Sequence, residues 1–293
     1  MASKRKGRNA ADGQVAPRPF LRWAGGKFYL TSALLGFTPS DVSVRRYFEP
    51  FLGAGSLFFA LRHEYAYLSD LNGHLIECYR AIRDNPRAVA LALRGHAERD
   101  CERYYYSVRE AYNRSRGGVA RAARFLYLNR TGFNGVFRVN LAGVYNVPYG
   151  RKSSPRFPST VDLTAIAAVL RGARLSTQDY RAAFTRARSG DFVYLDPPYP
   201  PLNGTSFFAH YTPDRFGIAD QAQVAACARD LDKRGCLVMV SNADTPAVRK
   251  LYRGFVVTRL SVTRYVSSSS IKHQVGELVI TNYPRSSMRQ AAR

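Results

Sequence analysis

The tetrapeptide Asp196-Pro197-Pro198-Tyr199 sets hydrogen-bond acceptors beside an aromatic ring. It directly follows an apolar run at residues 192–195, and in an open α/β sheet ligands bind where the strands end. Proline lacks a backbone N–H and has a fixed φ, so the carbonyl oxygens of this turn are rigid acceptors. With the aspartate they suit the exocyclic amino group of a planar base, on which the tyrosine ring can stack. The structural alternative is a Pro-Pro turn that only ends a strand.

A glycine turn, with the sequence EPFLGAG at residues 49–55, is the second candidate site. It lies between a short apolar strand and a segment with helical spacing, where a ligand can approach the backbone and the first N–H groups of the helix. Asp70 ends the next strand, 15 residues beyond Gly55, and its carboxylate can bind ribose hydroxyls. This interval is shorter than the roughly 20 residues of the dinucleotide fingerprint, and the third glycine is missing. A NAD-dependent dehydrogenase is therefore a poor fit, and for the turn taken alone a structural role is favoured.

The only tryptophan of the chain, Trp23, belongs to the sequence FLRWAGGK at residues 20–27. A Gly-Gly pair and Lys27 follow it, where a helix is predicted to begin. The Lys27 ammonium can pair with a ligand carboxylate, and Trp23 can form a wall of the pocket. A buried tryptophan that anchors an N-terminal helix explains the same residues equally well.

The charge of the chain indicates a polyanionic partner. The 293 residues include 44 basic and 21 acidic side chains, which gives +23, and residues 80–188 alone carry 21 basic and 7 acidic ones, which gives +14. Of the basic residues 37 are arginine, whose planar fork suits phosphates and guanine. Inheritance from GC-rich codons is an alternative cause of the total, but it does not explain the concentration in the middle third. Such a surface attracts nucleic acid or an acidic membrane.

Several classes of protein are excluded. No apolar run approaches the roughly 20 residues that a membrane span needs, and the first 20 residues lack the apolar core of a secretory signal. The four cysteines, at positions 78, 101, 227 and 236, form no CxxC pair, so neither a disulfide framework nor a zinc ribbon is indicated. We therefore expect a cytoplasmic protein without a metal.

Strand and helix patterns alternate at both ends of the chain, whereas residues 72–128 show only helical patterns. The predicted fold class is α/β, a Rossmann-like sheet with an inserted, mostly helical domain. Glycines at 135 and 143 further predict β-hairpins within residues 129–149 of this insert. The predicted divisions are a disordered basic arm at 1–18, a sheet domain at 19–72 and 173–284, the insert at 73–172 and a basic tail at 285–293.

These motifs together carry a resemblance to a known family. FLRWAGGK, EPFLGAG, Asp70, LYLNRTGFNGVFRVN at 126–140, YNVPYG at 145–150 and DPPY occur in that order. The chain resembles the Dam-type DNA adenine-N6 methyltransferases from about residue 20 to residue 283. The resemblance implies that the sheet domain binds S-adenosylmethionine and is catalytic, and that the insert recognises the DNA target.

The resemblance also implies roles for single residues. Asp196, Pro197, Pro198 and Tyr199 hold a flipped target adenine. The implied cofactor-binding residues are Trp23, Lys27, Glu49, Phe51, Gly53, Gly55, Asp70, Asp179 and Asp196, of which Asp179 is the looser match. On the DNA side the implied residues are Arg130 at a phosphate, Phe133 as a wedge, Asn134 near the gap, Val136 and Arg138 on base edges, and Arg264 and Ser267 near the backbone. A hydrophobic mini-core is the alternative for Phe133 and Val136.

The prediction is thus a site-specific enzyme that methylates N6 of adenine in double-stranded DNA, within GATC. A prokaryotic or viral host, association with the nucleoid through DNA, a monomer, and no membrane or metal partner complete this expectation. Two alternatives stay open. One is a DNA-binding regulator with a vestigial methyltransferase fold, and the other is an amino methyltransferase that acts on RNA or protein.

Overall fold

The computed structural model describes residues 19–199, 216–264 and 273–289. Seven strands form one sheet in the order β3-β2-β1-β4-β5-β7-β6. They are β1 (Tyr47–Glu49), β2 (Ala66–Asp70), β3 (Arg174–Thr177), β4 (Phe192–Leu195), β5 (Leu237–Ala243), β6 (Val256–Arg264) and β7 (His273–Thr281). Strands β1 to β5 run parallel, and β7 is antiparallel to both β5 and β6. The predicted α/β class with a Rossmann-like sheet is confirmed.

Helices connect these strands on both faces of the sheet. They are α1 (Thr31–Leu35), α2 (Ser56–Leu61), α3 (Gly73–Asp84), α4 (Pro86–Ala97), α5 (Glu102–Arg114), α6 (Gly118–Thr131), α7 (Thr160–Leu170), α8 (Tyr180–Phe184), α9 (Ile218–Lys233) and α10 (Pro246–Leu251). Helix α7 begins with a capping box, in which Ser159 Oγ accepts from Asp162 N and the Asp162 carboxylate accepts from Ser159 N.

The order of the strands places the candidate motifs together. From β1 the chain continues to β2 on one side, whereas from β4 it continues to β5 on the other side. The carboxyl ends of β1 and β4 therefore lie next to each other while the segments that follow them diverge. This switch point is where open α/β sheets bind ligands. The glycine turn follows β1 and the DPPY sequence follows β4, so both motifs meet there.

Two clusters of buried side chains cover the two faces of the sheet. Tyr47 and Phe192 point into the cluster that also contains the buried residues of α2 to α7. Phe48 and Val193, their neighbours in sequence, point into the second cluster with α8, α9 and α10. This is the alternation that a strand requires. The helices between β2 and β3 thus share a core with the sheet, and the division into a sheet domain and an insert stays a prediction.

The segment after α6 differs from the predicted hairpins. A short 3-10 turn occupies Phe133–Gly135, and the following chain forms only isolated antiparallel bridges, Gly132 with Tyr149 and Val139 with Tyr145. Side chains satisfy part of the backbone there: Asn140 Oδ1 accepts from the backbone N–H groups of residues 142 and 144. The backbone N–H groups of Asn140 and Asn146 also donate across to the carbonyls of Val144 and Arg138, so the two arms form a short antiparallel ribbon without a regular β-ladder.

Candidate active site

Lys27 and Asp196 form a buried ion pair at the end of β4. Lys27 Nζ lies 3.0 Å from Asp196 Oδ1 and also donates to the carbonyl of Gly25 at 2.9 Å. Ser241 Oγ, from β5, donates to the same Asp196 oxygen at 2.6 Å. Burial raises the pKa of Asp196 above its ordinary value, while the Lys27 ammonium and the Ser241 hydroxyl lower it. The ammonium therefore favours the ionised carboxylate, which is the better acceptor for an amino group.

Tyr199 lies beside this pair. Lys27 Nζ is 4.2 Å from the centre of the Tyr199 ring, and the Tyr199 hydroxyl donates to Glu277 Oε2. Tyr29 donates to the other Glu277 oxygen at 3.1 Å, and Glu277 is 1% exposed. Burial and the carboxylates of Asp196 and Glu277 hold the pKa of Tyr199 well above its ordinary value. Tyr199 is thus a neutral, oriented aromatic ring.

A buried amide network fixes the DPPY turn. Gln221 Nε2, from α9, donates to the carbonyl of Pro198 at 2.7 Å. Asn242 Nδ2, from β5, donates to Gln221 Oε1 at 2.8 Å, and both amides are fully buried. The Pro198 carbonyl is therefore bonded within the protein, and a role of the Pro197 carbonyl in substrate binding stays a prediction.

Asp70 holds the glycine turn at the end of β2. Its Oδ2 accepts from Gly53 N and its Oδ1 accepts from Asn72 N, both at 2.9 Å. Burial raises the pKa of Asp70, and these backbone N–H groups oppose the rise. A carboxylate has about four lone-pair positions, so each oxygen of Asp70 can also accept from one ribose hydroxyl.

Trp23 packs against the glycine turn. Gly53 has a φ of +47°, and a Cβ there would lie 3.0 Å from Trp23 Cδ1. The Tyr79 hydroxyl donates to the Gly53 carbonyl at 3.0 Å, and this hydrogen bond helps to hold the turn in place. Gly55 has a φ of +64° and precedes α2. Close packing and left-handed backbone together explain why these two positions are glycine.

Glu49, Phe51 and Asp179 surround the same turn. Glu49 is buried at the end of β1, where Tyr47 donates to it at 2.8 Å, and burial raises its pKa to about 8. Phe51 stacks on Tyr180 with ring centres 5.0 Å apart. Asp179 caps α8 and pairs with Arg181 Nε at 2.7 Å, which lowers the pKa of Asp179. All three lie near the carboxyl edge, and their contact with a cofactor stays a prediction.

A cleft of about 520 Å³ opens beside Trp23. Its walls include Trp23 and Ala54 on one side and the turn Asn134–Val136 on the other. Its volume lies in the range of small-molecule sites, which is about 300–1,000 Å³. Asp70 is not among the residues that line this cleft, but it holds the adjoining glycine turn through Gly53 N. An aromatic wall, a glycine turn and this nearby buried carboxylate are a donor and acceptor set that fits S-adenosylmethionine.

The turn Phe133–Gly135, which we call the recognition turn after its predicted role, lies next to this cleft, and it and the residues that follow expose three of the predicted DNA-binding residues, Phe133, Asn134 and Arg138. Phe133 is 53% exposed, so the mini-core alternative is wrong for this residue; Phe137 is the buried one, at 3%. Asn134 is exposed with a φ of +53°, and Val136 is half-buried. Arg138 is exposed and donates from Nε to Asn146 Oδ1 at 2.9 Å.

Arg130 has a different environment. Its guanidinium is half-buried and donates to the carbonyl of Phe20, while its Nε has no hydrogen-bond partner among the described residues. Lys152 donates to the Arg130 carbonyl at 2.8 Å, and burial together with Arg22 and Arg130 lowers the pKa of Lys152 to about 8. Arg22, Arg130 and Lys152 are thus a cluster of three cations that no local sequence motif predicts.

Two predicted residues fall outside this description. Arg264 ends β6, but its side chain lies outside the described residues, as does the whole of Ser267. Sequence reasoning also missed Gln221, Glu277 and Ser241. The signal in the sequence that could have found Glu277 and Ser241 is that each interrupts the apolar pattern of a buried strand.

The chain as described contains no helix long and apolar enough to cross a membrane. Nor do the described residues include a group of three His, Cys, Asp or Glu side chains that could hold a metal ion.

Comparison with known proteins gives one consistent result. Residues 23–267 match the model of a family described as D12 class N6 adenine-specific DNA methyltransferase. The type II methyltransferase M1.LlaDCHI of Lactococcus lactis subsp. cremoris is 37% identical over 273 residues, which are 91% of this chain and 95% of that protein. The DNA adenine methylase of Escherichia coli K12 is 36% identical over 91% of this chain and 96% of its own length. The type II methyltransferase M.MjaIII of Methanocaldococcus jannaschii is 34% identical over 286 residues, which are 91% of this chain and 99% of that protein.

Proposed function

This chain belongs to the D12 class of N6 adenine-specific DNA methyltransferases, and from that premise we propose that it methylates a flipped adenine within GATC in double-stranded DNA. The buried contact of Lys27, Asp196 and Tyr199 is the observation that carries this proposal. Enzymes of this family take the methyl group from S-adenosylmethionine. The regulator and the RNA or protein methyltransferase receive no support from the relatives, which are named as DNA adenine methylases and type II methyltransferases.

In the proposed reaction, Asp196 and the Pro197 carbonyl accept the two hydrogens of the adenine amino group. This contact turns the nitrogen lone pair out of conjugation with the ring and towards the methyl carbon. When bound, S-adenosylmethionine would supply a methyl group from its sulfonium, whose sulfur would be left as a neutral thioether. The amino nitrogen then releases one proton, and we assign Asp196 as its acceptor. Positioning is the main contribution of these side chains.

Extrusion of the adenine costs a few kcal/mol, because the base must leave its stack and its pair. Tyr199 offsets part of this cost by stacking on the base, since its ring is held by Glu277 and faces Lys27. The exposed Phe133 is placed to fill the space that the base leaves. Arg138 is exposed and is the side chain that we assign to guanine, through O6 and N7.

The DNA backbone is the partner that we assign to the cationic middle of the chain. Residues 80–188 carry +14, and the cluster of Arg22, Arg130 and Lys152 lies next to the recognition turn. We propose that residues 73–172 form the target-recognition region and that 19–72 with 173–284 form the catalytic region. Arg264 and Ser267 remain proposed backbone contacts, and the basic arm at 1–18 and the tail at 285–293 are proposed to add charge. A cytoplasmic monomer is the state in which we expect the enzyme to act.

The experiment is to incubate the purified protein with radiolabelled S-adenosylmethionine and unmethylated plasmid. Digestion with restriction enzymes that respond to adenine methylation in GATC then locates the label. We expect labelled, GATC-protected DNA with the wild-type protein and no label with Asp196→Ala, although that variant still binds DNA. Label in RNA or protein but not in DNA would refute the proposal. Label in DNA without protection at GATC would refute the assigned target sequence only.

A further inference from the structure

The side chain of Asn129 connects the segment before Trp23 to the recognition turn. Its Oδ1 accepts from the backbone N–H of Arg22 at 2.9 Å, and its Nδ2 donates to the Arg22 carbonyl at 2.7 Å. The same Nδ2 also lies 3.2 Å from the carbonyl of Gly135 and donates to it. Asn129 is 2% exposed. One buried amide thus joins both backbone groups of Arg22 to the turn Phe133–Gly135.

A second contact joins the same two segments. The ring of Phe137 stacks on Trp23 with centres 5.9 Å apart and planes 21° apart. Phe137 is 3% exposed and lies in sequence between Val136 and Arg138. The residues assigned to base reading are therefore anchored directly on the tryptophan.

On the side away from the recognition turn, residues 22–23 border the proposed cofactor site. Trp23 packs against Gly53, whose N–H donates to Asp70. On the recognition side, a Cβ on Gly135 would lie 2.6 Å from Arg22 Cδ. Residues 22–23 are thus packed between the two sites, so a ligand that fixes their position on one side also fixes it on the other.

We propose that Asn129 is a positioning residue that couples cofactor binding to DNA binding. A ligand that packs against Trp23 favours one position of residues 22–23. The hydrogen bonds of the Asn129 amide then fix the recognition turn relative to that position. Coupling of this kind is reciprocal, so DNA must tighten cofactor binding by the same factor. This inference rests on the proposed function, because it takes the turn as the DNA-reading element.

The test uses the wild-type protein and Asn129→Asp. The variant keeps the size and the acceptor for Arg22 N, but it loses both donated bonds and sets a carboxylate against two carbonyl oxygens. The probe is S-adenosylhomocysteine, which forms complexes without turnover. Its Kd is measured without DNA and with saturating duplex that the methylation assay has shown to be a substrate. Trp23 is the only tryptophan, so its fluorescence reports binding at this segment.

Asn113→Asp is the matched control. Asn113 makes a similar amide bridge, to the N–H of Tyr145 at 2.9 Å and to its carbonyl at 3.1 Å, but this bridge joins α5 only to the ribbon. Phe137→Leu is the second test variant, since it keeps apolar bulk and removes the stack on Trp23. Thermal unfolding first establishes that each variant is folded.

For the wild type we expect duplex DNA to lower the Kd by about 5- to 150-fold, the usual range of such coupling. We expect the ratio of the Kd without DNA to the Kd with DNA to fall to within about twofold of unity in Asn129→Asp and to fall in Phe137→Leu. In Asn113→Asp the ratio should stay at the wild-type value. If folded Asn129→Asp keeps the wild-type ratio of the two Kd values, the inference is overturned. If Asn129→Asp does not fold, a wild-type ratio in Phe137→Leu overturns it. A ratio of one in a wild-type enzyme that methylates DNA overturns this inference alone, whereas absence of methyl transfer by the wild type refutes the proposed function.

Discussion

The ammonium of Lys27 lies 3.0 Å from the carboxylate of Asp196, although the two residues are 169 positions apart in the sequence. Lys27 is 3% exposed, and the pair has Tyr199 on one side and Ser241 on the other. Neither charge is stable in such a place without the other. Each of the two residues therefore stays charged, and able to act, only while the other is charged.

Removal of the ammonium is expected to shift the pH dependence of methyl transfer. The Lys27→Met side chain has similar bulk, but Asp196 loses one of the two groups that lower its pKa, while burial and Glu277 still raise it. Protonated Asp196 is a poor acceptor, so we expect the rate at neutral pH to fall about 100-fold and to recover in part as pH rises. Measurement of kcat between about pH 5.5 and 9 should show the acid limb at higher pH than in the wild type.

Two further variants serve as controls for this shift. Glu277→Gln removes a carboxylate that raises the pKa of Asp196, so its acid limb is expected at lower pH. Lys233→Met changes an exposed lysine at the end of α9 and is expected to leave the profile as it is. An acid limb that does not move in Lys27→Met would contradict the role of the pair.

Tyr199 is expected to act through its ring. Stacking of a base on an aromatic side chain contributes about 1–3 kcal/mol, so Tyr199→Ala should reduce kcat/KM for DNA by about 10- to 100-fold. Tyr199→Phe keeps the ring and loses only the bond to Glu277, so we expect it to lose less than about tenfold. Steady-state kinetics on a GATC duplex compares the two, and equal losses would show that the hydroxyl, rather than the ring, is needed.

The glycine turn allows a test of the cofactor site. Gly53→Ala introduces a Cβ at 3.0 Å from Trp23 Cδ1 and a φ of +47° that alanine adopts only with strain. We expect the Kd for S-adenosylhomocysteine to rise about tenfold or more. Gly254→Ala is the matched control, because Gly254 has a φ of +94° with nothing within 4 Å of its added Cβ. A similar rise in both variants would indicate general destabilisation.

Arg138 is expected to contribute specificity. Arg138→Ala removes a guanidinium next to the recognition turn, and a bidentate contact with guanine is worth about 1–3 kcal/mol of discrimination. The ratio of kcat/KM for GATC over singly altered sites should therefore fall about 10- to 100-fold. Arg94→Ala, at an exposed arginine of α4 that lies 3.8 Å from Glu98, should leave this ratio unchanged. A uniform loss across all duplexes in Arg138→Ala would indicate a phosphate contact instead.

Glu49 is expected to make stability depend on pH. Its pKa is about 8 in the fold against an ordinary 4.5, because it is buried. Between these values only the unfolded chain ionises, so the free energy of unfolding falls as pH rises, by up to about 1.4 kcal/mol per pH unit. Glu49→Gln should lose this slope in urea unfolding without cofactor. Glu110→Gln, on an exposed residue of α5 that pairs with Arg114, should keep it; equal slopes in wild type and Glu49→Gln would refute the assignment.

Local patterns in the sequence were sufficient for several of the strands and helices. Strands at 174–177 and 192–195 and the helix at 160–170 follow from apolar runs and from a capping residue, which act within a few positions of the chain. The order of the motifs around a basic middle also identified the family, since a family pattern is itself a property of the linear sequence.

Only the tertiary structure decided which side chains meet. Asn129 joins Arg22 to Gly135, Gln221 holds the Pro198 carbonyl, and Glu277 binds Tyr199, each across a separation that no local spacing encodes. In place of the predicted hairpins the chain forms a short antiparallel ribbon with isolated bridges, in which the Asn140 side chain accepts from two backbone N–H groups. Composition likewise predicted a cationic insert, but only burial distinguished the half-buried Arg130 from the exposed Arg138. The reason is physical: burial, pairing and pKa depend on distances through space, which the fold sets when it brings remote segments together.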